Sequence, residues 1–520
     1  MKVSGPGMVV FLAVALLALL AAPIALAKPG KGQVGSRSLG DPLLPQLGNG
    51  GYDAKSYRIK LDYDPAANEF ERAKTKLIAR AKKKLRKFSL DFQDLDVANV
   101  KVNGRRAKFR QVEAKPDLSD DPEVTQPMKL VVKPKPNARP KRKRKFTVSV
   151  RYSGTPEHIT DPDTSIEGWI RACFPLDPPQ TCDGAFVVNE PMGAQGWFPS
   201  NNYPTDKARF DTLVRVPDGK TALGVGELVR QREHADATTT WHWREDDRTA
   251  TYLTTATVGD FIFATESMTE TSTGRTLPVY NAIDSTASQA QLDAINASLA
   301  EAPAQVNFLS ELYGPYPFDS TGAVADRAAG VGYALEVQTK PHYSGGFESG
   351  NPSINIGTQL HELAHQWVGN SATLERWSDI WFNEGWANWS EWYWDFVVNC
   401  ADDPAAIFDD LYANTPDGDW AIAPAILDSD PANLFVFFPT YQRGAMTVQG
   451  YREIVGDDTF FEFARHLLEK YAYDNISTEE FIAEAKDFSD LAGPDLELLD
   501  DYFQQWLYGT VKPTILPEDF

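Results

Sequence analysis

Apolar and polar residues alternate strictly in four short stretches of the first half of the chain. In "YRIKLDY", Tyr57, Ile59, Leu61 and Tyr63 alternate with charged residues, and in "FTVSVRY" the apolar set is Phe146, Val148, Val150 and Tyr152. "FSLDF" (88–92) and "FDTLVRV" (210–216) share the period of two, which puts every second side chain on one face of a strand. Turn-rich pieces such as "VNGRR" and "VPDGK" separate the runs. The pattern predicts an all-β, sandwich-like domain over residues 46–262.

From about residue 285 the period becomes helical. "SQAQLDAINASLAEAPAQVNFLSELYG" carries apolar residues three and four apart and stops at "GPYPF", where proline cannot continue a helix. "DDTFFEFARHLLEKYAY" is amphipathic, and "STEEFIAEAKDF" opens with a capping-box pair, Ser477 and Glu480. Residues 263–520 therefore read as an α-rich domain, and the chain as an α+β multidomain protein without internal repeats.

The first 27 residues differ from the rest. Lys2 precedes an apolar run that ends in "ALA" at 25–27, the pattern of a signal peptide, and a Pro/Gly-rich linker fills 28–45. The expectation is a secreted protein with no stable membrane partner once the leader is cleaved. The run exceeds a usual signal core, so an uncleaved anchor is the alternative. With 42% apolar and 24% charged residues the composition is that of an ordinary globular protein. Of three cysteines, Cys173 and Cys182 are spaced to close a short loop in an oxidising compartment, leaving Cys400 single. Residues 1–250 hold 41 Lys/Arg and 30 Asp/Glu, whereas residues 251–520 hold 10 and 42. The basic clusters "AKKKLRK" and "KPKPNARPKRKRK" lack interleaved aromatics, so they read as solvated hairpin edges and no nucleic-acid partner is expected.

Candidate chemistry centres on "LHELAHQW". His361 and His365 lie one helical turn apart and emerge from one face, where both imidazoles can reach a single ion. Glu362, next to the first, is placed to act as a general base toward water. Taken alone, the motif also fits two hydrogen-bonded core histidines. A catalytic zinc usually takes three protein ligands, and the third candidate is Glu384 in "WFNEGWANWSEWYW", nineteen residues after His365. Glu391, two turns further along that helix, is placed to hydrogen-bond a ligating histidine or to be an ordinary packed glutamate. The five tryptophans between 381 and 394 read as packing.

HExxH followed by a glutamate within "NEGWA" resembles the gluzincin zinc aminopeptidases, the family of aminopeptidase N and the leukotriene hydrolases. "NEPMGAQGWFPSNNYPTDKARF", "LYGPYPFDSTGAVAD", "TYQRGAMTV" and "YFQQWLYGTVKPTI" resemble further family segments, so the resemblance runs over roughly residues 45–517 in a short, two-domain form. It implies a thermolysin-like catalytic domain with one Zn2+ per chain, held by His361, His365 and Glu384. It implies hydrolysis of peptide substrates, with Glu362 as base and Tyr441, in "TYQRGA", as hydroxyl donor to the oxyanion. Glu336, in "GYALEVQTKP", aligns with the family glutamate that binds the substrate amino terminus, and Glu190, in "NEP", with a second carboxylate aimed at the same amine. Three positions depart from the family pattern: Val337 stands where the family has asparagine, Val188 where it has glutamine, and Ser200 where it has cysteine. The expected activity is an aminopeptidase. A thermolysin-type endopeptidase or a hydrolase of non-peptide substrates is the alternative, and a noncatalytic zinc-containing binding protein the remote one.

Overall fold

The computed structural model describes residues 32–174, 180–328, 330–344 and 353–520. The leader expected at 1–27 lies outside them. Strands Tyr52–Asp64 and Glu69–Ala81 pair antiparallel at the centre of an eight-stranded sheet. Lys145–Gly154 continues it on one side, and Ala208–Pro217, parallel to the first strand, continues it on the other. Tyr57, Ile59, Leu61 and Tyr63 are buried while Arg58 and Lys60 face solvent, as a period of two demands. A four-stranded and a five-stranded sheet complete this β-rich domain. Tyr63, Phe70 and Trp169 meet edge-to-face in its core, with Trp169 centred 4.6 Å from Phe70. Cys173 and Cys182 face each other across paired strands and are disulfide-bonded, and Cys400 is free and exposed.

Strands Phe261–Glu270 and Arg275–Asp284 start a second, five-stranded sheet, joined in parallel by Thr321–Ala325. Helix α1 (Gln289–Tyr313) packs on it, opened by a reciprocal cap between Ser288 and Gln291. Helices α2 (Ile356–Ala364), α3 (Ile380–Asn399), α4 (Pro404–Asn414), α5 (Arg443–Val455), α6 (Asp457–Lys470), α7 (Thr478–Phe488) and α8 (Pro494–Phe503) complete this α-rich domain. Ser477 and Glu480 form the expected capping box at α7. Trp381, Trp386 and Trp389 are fully buried in the helical core. Among the described residues no helix is long and apolar enough to cross a membrane.

A third core cluster joins the two halves. Leu43, Leu47, Tyr203 and Tyr252 pack there with Leu374, Trp377 and Ile380. Buried Lys207 of the β-domain spends its three N–H bonds on the carbonyls of Asn370, Ser371 and Asp474, at 3.2, 2.8 and 2.9 Å. Asp41 accepts from the Tyr203 hydroxyl and from the Trp377 backbone N–H.

Candidate active site

Helix α2 starts at Asn355, whose side chain accepts the Thr358 N–H, and ends at His365. It packs against α3, which brings His361, His365 and Glu384 together. Gly369 closes the turn after α2 at φ +121°, and a methyl group there would meet His365 Nδ1 at 3.1 Å. Gly385, beside Glu384, lies against Gly444 of α5. A methyl on Gly385 would sit 2.6 Å from the Gly444 carbonyl carbon, so the two glycines allow α3 and α5 to touch. That contact carries the preceding π-helical turn, Phe437–Gln442, and with it Tyr441, up to the site. The Tyr441 ring stacks between Phe437 and His361, with centroids 5.6 and 6.1 Å away.

The hydrogen bonds show whether the three ligand candidates fit a metal. His361 donates from Nδ1 to Glu391 Oε1 at 2.7 Å, and His365 donates from Nδ1 to the Val368 carbonyl at 3.0 Å. With those protons placed, both Nε2 lone pairs face Glu384 Oε2, at 3.0 and 3.4 Å. Three acceptors this close repel one another unless a cation lies among them. Ligands 2.0–2.1 Å from a tetrahedral zinc stand about 3.3 Å apart, so the donor set suits that ion in both chemistry and spacing. Glu362 is buried beside them. Burial pushes its carboxyl up to about 8, with the two histidines opposing and Glu336 and Glu384 adding.

Glu190 and Glu336 line the same cleft, of about 320 Å³, as His361, Glu362, Glu384 and Tyr441. Each has a buried Oε1 with no hydrogen-bond partner. Burial, then mutual repulsion with Glu336, raises the Glu190 carboxyl well above its ordinary value. Glu336 is held through its backbone: its carbonyl accepts from Asn370 Nδ2 at 2.7 Å and from Gln366 Nε2 at 3.3 Å. The turn bearing Glu190 is held by Glu167, which accepts the Met192 N–H at 2.8 Å. Val337 and Val188 are both fully buried, and Ser200 pairs through its backbone with Asp91. Sequence reasoning missed Gln366, Asn370, Glu167, Tyr333 and the exposed Phe437 at the cleft rim. Gln366 is next to His365 and Asn370 five residues after it, but no pattern in the sequence marks either of them.

Comparison with known proteins matches this geometry. Residues 53–253 match the peptidase M1 N-terminal domain and residues 353–506 the peptidase family M1 domain, together more than half of the chain. Aminopeptidase M1-C of Oryza sativa subsp. japonica is 28% identical over 357 residues, 65% of this chain and 39% of that one. Endoplasmic reticulum aminopeptidase 1 of Homo sapiens is 27% identical over 352 residues, 64% of this chain and 35% of the human protein. The chain thus spans well under half the length of these curated relatives. Among solved structures, an M1 zinc metallopeptidase from Deinococcus radiodurans aligns with a TM-score of 0.76 at 23% identity, covering 92% of this chain and 98% of that one. A variant from the same organism, solved with a Tyr-Ser-Ala substrate, aligns with a TM-score of 0.75, also at 23% identity, over 92% of this chain and 99% of that one. The matches to both M1 domains over more than half of its length, with the donor set held between helices α2 and α3, make this chain a member of peptidase family M1.

Proposed function

We propose that the protein is an exported zinc aminopeptidase. One observation carries the exopeptidase reading: Glu190 and Glu336 both line the cleft, and each has a buried carboxylate oxygen without a partner. Unpaired buried acceptors are costly, and a substrate ammonium satisfies both through charge-assisted hydrogen bonds. A blocked or internal peptide bond offers no such cation. His361, His365 and Glu384 would hold the zinc. When bound, it supplies Lewis-acid polarisation of the scissile carbonyl and acidifies water.

The chain's own residues do the rest. Glu362 accepts a proton from the attacking water and returns it to the leaving amine nitrogen. Burial and the surrounding carboxylates raise the Tyr441 hydroxyl well above its ordinary value, so it keeps its proton and donates to the oxyanion as charge develops. Glu391 and the Val368 carbonyl keep both imidazoles in the ligating tautomer. Export is supported by the leader pattern at residues 1–27 and by the Cys173–Cys182 disulfide, a bond typical of oxidising compartments.

The test is hydrolysis of a panel of aminoacyl fluorogenic amides beside their N-acetylated copies, with and without a chelator. Chelator-sensitive turnover confined to the free amines is the expected result. Equal turnover of the acetylated copies would replace the aminopeptidase with an endopeptidase on the same scaffold.

A further inference from the structure

Behind the active-site helix lies a cavity of about 520 Å³ that the hydrolytic reaction does not use. One wall is the face of strands Phe261–Glu270 and Arg275–Asp284 that carries the exposed Ile262 and Glu266 and the half-buried Ala264, and the other is α1. The space exists because Ala264, Ala300, Ala302, Gly322 and Ala323 are too small to fill it. Met268, Val279, Val306 and Leu363 make its surface mostly apolar, and its size is in the usual range for small-ligand pockets.

Neutral polar side chains such as Asn281, Asn296 and Thr321 line the cavity, and the charged group among its described lining residues is an acid, Glu266. Gln359 is buried on the α2 side. Its Nε2 donates to the Ser298 carbonyl at 2.9 Å and to Gln305 Oε1 at 2.8 Å, which fixes the amide orientation and leaves Oε1 buried without a donor. Pro303 lies inside α1 and has no N–H for the Leu299 carbonyl, so the helix ladder is interrupted at the cavity wall. Glu266 stands exposed at the edge and has no ion-pair partner among the described residues. These three groups are acceptors, on three different elements.

We propose that this cavity is a second ligand site, which takes a small amphipathic amine: an apolar body between sheet and α1, with N–H donors for the Gln359 amide oxygen and its neighbouring acceptors. The occupant rests against Gln359 and Leu363, on the face of α2 turned away from His361.

Phenethylamine is a suitable probe, and phenylacetate, of similar size but lacking the donors, is its control. Calorimetric titration uses the zinc-loaded full chain and its Glu336→Gln variant, in which amine recognition in the catalytic cleft is weakened. The expected result is one saturable phenethylamine event that survives Glu336→Gln. It weakens about tenfold or more when the cavity is filled by Ala264→Phe or, from the opposite wall, by Ala302→Phe, and about tenfold in Gln359→Met. Two filling variants keep the test open should one of them misfold. The proposal is overturned if binding vanishes with Glu336→Gln, if folded filled variants bind as the parent does, or if phenylacetate binds equally well. If only waters satisfy the Gln359 oxygen, no saturable event remains in Glu336→Gln. A failure of the amine role assigned to Glu336 gives a different pattern: parent and Glu336→Gln titrate alike, and the cavity variants still lose binding.

Discussion

Glu362 shares a helix turn with two ligand candidates yet coordinates nothing itself, so its role can be separated from theirs. Glu362→Gln preserves the shape of the site and removes the proton acceptor. Zinc content should stay at one per chain while hydrolysis falls by about 10²–10⁴-fold, read by metal analysis and aminoacyl-amide turnover on the same sample. Glu391 acts one bond further out, through His361 Nδ1. Glu391→Gln should lower zinc affinity by about 10–100-fold in competition with a chromogenic chelator, and parental affinity would remove it from the site. Helical spacing made His361 and His365 legible as one face, and Glu384 and Glu391 as another, but the packing of the two helices was not in that spacing. Tyr441, Glu336 and Glu190 were legible only through the family resemblance, since they arrive from segments far apart in the chain. Gln366 and Asn370 were not legible, because a buried amide that clamps a backbone carbonyl carries no periodic signal.

Among the elements, the crossing of α3 and α5 sets the distance between Glu384 and Tyr441. Gly385→Ala should leave the chain folded, push α5 away and lower kcat with little change in zinc content. Unchanged kcat in a folded variant would show that Tyr441 is positioned some other way. A second element, the turn that carries Glu190, depends on an acid pair. Asp161 and Glu167 are buried in mutual contact, and three of their four carboxylate oxygens have no other partner. Burial raises Glu167 to about 7. Unfolded carboxyls titrate near 4, so between those values the native state binds more protons than the unfolded one, and stability falls as pH rises. Glu167→Gln keeps an acceptor for the Met192 N–H and removes one charge. Denaturant unfolding at pH 5 and pH 8 should show a loss on the order of a few kcal/mol in the parent and much less in the variant. Identical losses would mean that the pair does not titrate in this range. The strands and helices around these features were read well from periodicity. The short strands of the catalytic sheet, such as Ala334–Leu335 and His342–Tyr343, were not, since two residues show no period.

At the scale of the whole molecule the change of period between the two halves was plain in the sequence, and so was the shift from basic to acidic. The basic clusters lie in or beside exposed turns, at 82–84 and 141–144. What joins the halves was hidden, because Asp41, Lys207 and Trp377 are ordinary residues until folding brings them together. Burying Lys207 is expensive, and depriving it of its three carbonyls would leave a desolvated cation. Thermal or denaturant unfolding should therefore follow one transition by both tryptophan fluorescence and far-ultraviolet dichroism, and two resolved transitions would refute the coupling. The same buried amine bears on how fast a ligand enters the cleft. Two of its three carbonyl partners, Asn370 and Ser371, lie in the loop that follows the histidine helix, so that loop is tied to the β-domain before any ligand arrives. The entry step is then expected to be a diffusional encounter with a preformed groove, with a rate that follows solvent viscosity and the charge on the incoming molecule.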